Sequence, residues 1–362
     1  MRAARARARV RAQVRALALV LMPALALAPA SSGCAWSLDE PAPLQVPEVD
    51  AAVPTPPACL LLADPARGLV GARGRVRTLR FPDGTLRLLA DTLQTRDGAG
   101  DHSLGPVVVS LTAADPTGCL TPALPATLPT TSALDVGPLG AGAGQLLGVA
   151  LSAGRPIALV ETFAIINRIG IAAATWDDAR GAFVAAPSYL FTGDRAGFGD
   201  ALLVEDGFIY AYGCRNAGFL RDACYLARAP EAGLADPTAY TFYRAGGSFG
   251  PDLEDAWPLF DGGGGLAILH RGARYYALYV TPLGDVIQAR SGLSPSGPWS
   301  APVVVARCAV PRAAFCTGLA VHPELPAQPD HVWVTQAIAS FDALAPEDAT
   351  TRLLEVALTG LP

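Results

Sequence analysis

The 362-residue chain is 51% hydrophobic and 16% charged, with a formal charge of −5, and a chain of this length can bury a large core. All 27 basic residues are arginine; with the six in residues 1–33 set aside, 21 arginines face 32 acids, so the remainder stands near −11. Affinity for phosphate backbones rests on clustered cations, so this balance excludes nucleic-acid binding as the expected function and favours solubility and repulsion from anionic polymers.

The arginines from Arg2 to Arg15 precede the 12-residue apolar run LALVLMPALALA, Leu17 to Ala28. A membrane-spanning helix needs about 20 apolar residues, so this order predicts a removable signal segment over residues 1–33. Ser31-Ser32-Gly33-Cys34 resembles a lipobox, which predicts that Cys34 is acylated and becomes the new N-terminus. The rival pattern, Ala28-Pro29-Ala30, suits an ordinary signal peptidase and would give a soluble secreted or periplasmic protein. Residues 34–58 carry EPAPLQVPEVDAAVPTPP from Glu40, a Pro-rich segment expected to be an extended tether. The expected location is the bacterial cell envelope, with the membrane touched only through the lipid.

Seven cysteines in an exported chain predict an oxidised framework. Acylation of Cys34 leaves six, and proximity pairs Cys214 with Cys224 and Cys308 with Cys316, leaving Cys59 with Cys119. No CxxC occurs, and His102, His270, His322 and His331 are scattered, so neither a metal nor any other cofactor is expected.

From Cys59 to the C-terminus, short β-type runs are punctuated by Gly, Pro and Asp. A turn followed by a strand of alternating bulky residues recurs as DGTLRLLADT from Asp83, AGRPIALVET from Ala153, DGFIYAYGCR from Asp206, RGARYYALYVT from Arg271 and QPDHVWVTQA from Gln328. Five units at roughly 60-residue spacing predict an all-β fold over residues 59–362, a five-bladed β-propeller of four-stranded antiparallel blades, expected to be a monomer. A β-sandwich would also show regular strands and turns, but not five recurrences.

GFGDALLVEDGFIYAYGC from Gly197, CYLARAPEAGLADPTAYTFY from Cys224 and YYALYVTPLGDVIQARSGLSPSGPWSAPVVV from Tyr275 resemble the bacterial domain-of-unknown-function family 4185. The resemblance is strongest over residues 195–310. It implies a five-bladed propeller related in architecture to arabinanases, some members acting as endo-D-arabinanases on cell-wall polysaccharide and many having no known activity. A polysaccharide or other glycan is therefore the expected partner, and fold alone does not establish the chemistry.

Glycoside hydrolysis needs two carboxylates across the scissile bond, one protonated and one ionised. Asp91 in LLADT, Glu161 at the matching point of the second repeat and Asp200 at the start of an inner strand are the candidate catalytic acids. Asp252 and Asp255 beside Trp257 have the composition of a sugar site, an aromatic face with carboxylates around it. Asp285 and Arg290, on opposite faces of one strand, and His102 in a Gly-rich loop complete the candidate substrate-binding residues. The first expectation is a surface-tethered carbohydrate-active protein, an arabinanase-like hydrolase; the alternative is a non-catalytic propeller that binds glycan or protein.

Overall fold

The computed structural model describes residues 57–362 apart from 98–99, 126–131, 165–166, 193–196, 312–313, 341–344, 346–347 and 362. The signal segment, Cys34 and the tether up to residue 56 lie outside the described residues. The chain forms five antiparallel sheets in sequence order, and each predicted turn is the tight connection between the first and second strands of one sheet.

The first blade pairs Leu69–Arg80 with Leu86–Asp97, whose other edge takes both Gly100–Leu104 and Val107–Leu111. The last two are one strand interrupted at Gly105-Pro106, because proline brings no N–H to the ladder. This blade has the expected four strands, the last two lying end to end along one edge so that it is three strands wide. The second comprises Ala143–Ser152, Arg155–Ala164, Asn167–Asp177 and Ala182–Thr192, with the short Leu134–Asp135 running parallel along its edge.

The third blade has Ala201–Glu205, Phe208–Gly218 and Arg221–Pro230, then an outer strand split into Thr241–Tyr243 and Phe260–Gly262. The fourth is Gly264–Arg271, Arg274–Val280, Val286–Gly292 and Val303–Arg307. In the fifth, Ala314–His322, His331–Ser340 and Arg352–Ala357 are completed by Ala58–Leu60, which precedes the first blade in sequence. The ring is thus closed by β-pairing between distant parts of the chain.

Period-two alternation supplies the glue between blades. In the first blade Leu86, Leu88 and Ala90 pack with Leu353 and Leu325 of the fifth, whereas Leu89 packs with Val160 and Trp176 of the second. The same arrangement repeats around the ring, and each of five apolar clusters joins one pair of neighbours. A blade buries neither face alone, so the closed ring is the unit that removes apolar surface from water. The inner strands approach closely enough to need glycine: a Cβ on Gly148 would run into the backbone of Ala201 and Leu202.

All three predicted disulfides are present. Cys214–Cys224 joins directly opposed residues of one hairpin. Cys308–Cys316 joins the fourth blade to the fifth, and Cys59–Cys119 ties the closing strand to the segment after the first blade.

The joint between first and fifth blades also carries a buried polar chain. Thr78 Oγ1 lies 2.6 Å from Glu324 Oε2 and 3.1 Å from His322 Nδ1. His322 Nε2 lies 3.0 Å from Thr335 Oγ1, which donates to the Val76 carbonyl. Burial, with the Arg77 charge, pushes the His322 imidazole down to about 3, so it is neutral.

Candidate active site

The site begins with an irregularity in the first blade. The pairing register slips between Arg73 opposite Thr92 and Val76 opposite Ala90, so Gly74 and Arg75 together oppose Asp91. This β-bulge takes the Arg75 N–H out of the ladder, and Asp91 Oδ2 accepts it at 2.8 Å. Gly74 holds φ at +78°, and a Cβ there would strike the Asp91 carboxylate. The bulge and the acid therefore require each other.

From the bulge, the Arg75 side chain crosses the mouth of the ring. Its stem passes over Gly318 of the fifth blade, and its guanidinium pairs with Asp200 Oδ1 of the third at 2.7 Å. Asp200 directly precedes the third inner strand, and its Oδ2 accepts the Cys214 N–H at 3.4 Å. Glu161, near the end of the second strand of the second blade, is buried, takes a hydrogen bond from the Gln145 amide at 2.6 Å and is ion-paired with Arg168. Burial opposes the charge on Arg75, but Asp200, Asp91 and Glu161 outweigh it and raise its pKa. Asp91 thus bonds the Arg75 backbone and Asp200 its guanidinium, while Glu161 is engaged by Gln145 and Arg168 and acts on Arg75 through its charge.

The acids differ in their surroundings. Burial pushes the Asp91 carboxyl up, helped by the charge of Glu161 and opposed by Arg77, the Arg75 N–H and the Arg75 charge. Its Oδ1 is buried without a hydrogen-bond partner, an environment suited to the protonated form. Asp222, on the third strand of the third blade, is raised by burial and by the Asp200 charge. Arg77, one turn of the pleat below Arg75, donates to the Leu146 carbonyl at 3.2 Å and is pushed down to about 10 by burial and the Arg75 charge.

Two clefts flank this cluster. Asp91 lines one of about 340 Å³, between the first and second blades with Gln145 and Phe163. Asp222 lines the other, about 660 Å³, between the third blade and the turns of the fourth and fifth. A channel lined by Arg77, Asp200 and residues of all five inner strands continues below the mouth.

The remaining sequence candidates are elsewhere. Asp252 and Asp255 both pair with Arg244, at 3.1 and 3.0 Å, beside exposed Trp257 at the outer edge of the third blade. Asp285 is engaged by Arg307 of the outer strand at 2.9 Å. Arg290 donates to the Tyr279 hydroxyl and to the Ser300 and Asp261 carbonyls, which clamps the fourth blade to the third. His102 lies on a strand, opposite Thr95, not in the expected loop; the Gly-rich segment prolongs the first blade's hairpin. Among the described residues no group of three potential metal ligands is assembled.

Sequence reading missed Arg75, Gln145, Arg168 and Asp222. The glycine of Arg73-Gly74-Arg75 was the available signal for the bulge. Nothing local marks Asp222, whose environment comes from Asp200 across the blade.

The fold is that of a five-bladed β-propeller. The GH43_1 enzyme of Xanthomonas citri, solved with xylose, shares this fold at 15% identity with a TM-score of 0.50, covering 84% of this chain and 91% of its own. A Bacteroides ovatus protein taken to be a hydrolase does so at 14% identity and 0.50, covering 80% and 86%. A thermostable family-43 glycoside hydrolase aligns at 14% identity and 0.47, covering 80% and 88%. No curated protein matches the chain. The family model for the domain of unknown function DUF4185 matches residues 161–337, so the resemblance read from the sequence holds.

Proposed function

We propose that this protein is an exported, envelope-tethered glycoside hydrolase acting at the Arg75 mouth. The observation that carries the reading is that Arg75 joins Asp91 of the first blade, which lines an open cleft, to Asp200 of the third, which lines the channel. Asp91, held toward its protonated form, serves as general acid to the leaving glycosidic oxygen. Asp200, engaged by Arg75 and the Cys214 N–H, serves as the carboxylate that activates water or attacks the anomeric carbon. Arg75 and Glu161 are positioning residues: the first fixes both acids, and the second is locked by Gln145 and Arg168. The fold shared with a xylose-bound GH43_1 enzyme supports a glycan ligand.

Incubation of the purified protein with a polysaccharide panel that includes arabinans and xylans should release oligosaccharides. Asp91→Asn and Asp200→Asn should each lower the rate at least about 100-fold, the usual contribution of a positioned acid or base. No product from the wild type on any substrate would overturn hydrolysis. A second reading, glycan binding without cleavage, is favoured by the ion pairs that already engage Asp200 and Glu161; retained binding without product would establish it.

A further inference from the structure

The larger cleft is bordered by side chains that a folded monomer ordinarily covers. Phe219 is 86% exposed, and Leu220 and Leu283 are about half exposed, at 47% and 53%. All three line this one cleft, whereas exposed Trp257 and Leu293 stand outside it. Grouped exposed apolar side chains mark a binding surface more often than scattered ones do.

The turn that presents Phe219 is held in shape. Its hairpin is stapled by Cys214–Cys224, its base is bridged by Arg221 to Asp261 at 3.1 Å, and Asn216 bonds both backbone groups of Gly218. Leu220 adopts φ of +53°, a conformation that is costly for a non-glycine residue and persists only where the surroundings impose it. The aromatic ring is therefore presented by a constrained turn.

The cleft wall also limits the ligand's charge. Among the described residues its one cation, Arg221, is engaged by Asp261, and Asp222 is shifted toward its neutral form by burial and Asp200. No other described residue of the wall offers a cation to a phosphate or a uronate. The polar side chains besides Arg221 are Asn216, which is turned to the Gly218 backbone, and Asp222, Thr281 and Thr317, which are suited to hydroxyls. Thr317 adjoins Gly318, over which Arg75 lies, so the cleft runs into the acid cluster.

We propose that this cleft is a subsite for an uncharged sugar ring of a glycan chain, stacked on Phe219, flanked by Leu220 and Leu283, and hydrogen-bonded through Asp222 and Thr317. A sugar ring has the required chemistry, an apolar C–H face and a hydroxyl edge. The subsite rests on the glycan reading above but not on cleavage.

The test is calorimetric titration of the Asp200→Asn protein with neutral arabino- and xylo-oligosaccharides of three to six units, and with oligogalacturonate. Adding Phe219→Ala should weaken the best neutral ligand about tenfold, the scale of one aromatic contact, while Phe219→Trp retains it. Leu293→Ala, on the fourth blade's far turn, should change nothing, and oligogalacturonate should bind more weakly than the neutral oligomers. Equal binding by Phe219→Ala, or preferred binding of oligogalacturonate, overturns the subsite. Phe219-dependent binding to a wild type that cuts nothing removes hydrolysis and leaves the subsite. Cleavage with a KM unmoved by Phe219→Ala removes the subsite and leaves hydrolysis, and no binding of any neutral oligosaccharide removes both.

Discussion

Asp91 has one carboxyl oxygen buried without a donor, and Asp200 has both oxygens engaged. Burial and neighbours, not residue type, separate their proposed roles, and the same reasoning applies to Glu324. The Thr78 hydroxyl has one proton and two acceptors, Glu324 Oε2 and His322 Nδ1. With Glu324 protonated, the carboxyl donates to Thr78 and Thr78 donates on to neutral His322. With Glu324 ionised, Thr78 turns to the carboxylate and Nδ1 loses its donor. Burial therefore raises the Glu324 carboxyl above 4.5, against its bond to Thr78 and the charge of Arg80. A raised native pKa means stability that is full below the unfolded value and is lost as pH rises through the folded one. Glu324→Gln, whose amide donates to Thr78 at every pH, should melt above the wild type at pH 8 and lose that advantage at pH 4. Parallel melting curves across that range would refute this account.

At the scale of elements, two staples of different reach hold the propeller. Cys59–Cys119 closes 60 residues and ties the short strand that completes the fifth blade; Cys214–Cys224 closes 10 within one hairpin. Loop entropy alone assigns about 4 kcal/mol to the first and about 3 to the second. The double variant Cys59→Ala/Cys119→Ala should accordingly lower the denaturation midpoint more than Cys214→Ala/Cys224→Ala. The hairpin variant should instead show the larger loss of activity, because the Cys214 N–H holds Asp200 and the same hairpin presents Phe219. Chemical denaturation and rate measurements on both variants check the two orderings; the reverse order in stability would show that native-state strain outweighs chain entropy.

For the whole molecule, the proposed export would place the six paired cysteines in an oxidising compartment, and the proposed acylation would consume the thiol of Cys34. The mass of the mature protein should correspond to a chain beginning at acylated Cys34. An unmodified chain beginning at Ser31 would leave an odd thiol in an oxidising compartment and would replace the anchor with a soluble protein.

Much of the architecture was determined by sequence alone, because turn chemistry and period-two burial are local properties. Asp83-Gly84, Ala153-Gly154, Asp206-Gly207, Gly272 and Asp330 all take positive φ at inner-hairpin turns or directly beside them, except Asp83 itself, and the strands after them carry the alternating residues that join the blades. Cysteine spacing was similarly sufficient for the pairings, and register placed Asp91 and Glu161 at matching points of two repeats. Tertiary structure alone decided the rest. Closing the ring brings Arg75 within 2.7 Å of Asp200, 125 positions away, and seats it over Gly318. It also leaves Asp252, Asp255 and Trp257 on an outer edge although their composition suited a sugar site. Which acids share a mouth depends on how five sheets close around one axis, and that closure is completed by the apolar joint and β-pairing between the first and last parts of the chain, whose partners no local pattern names.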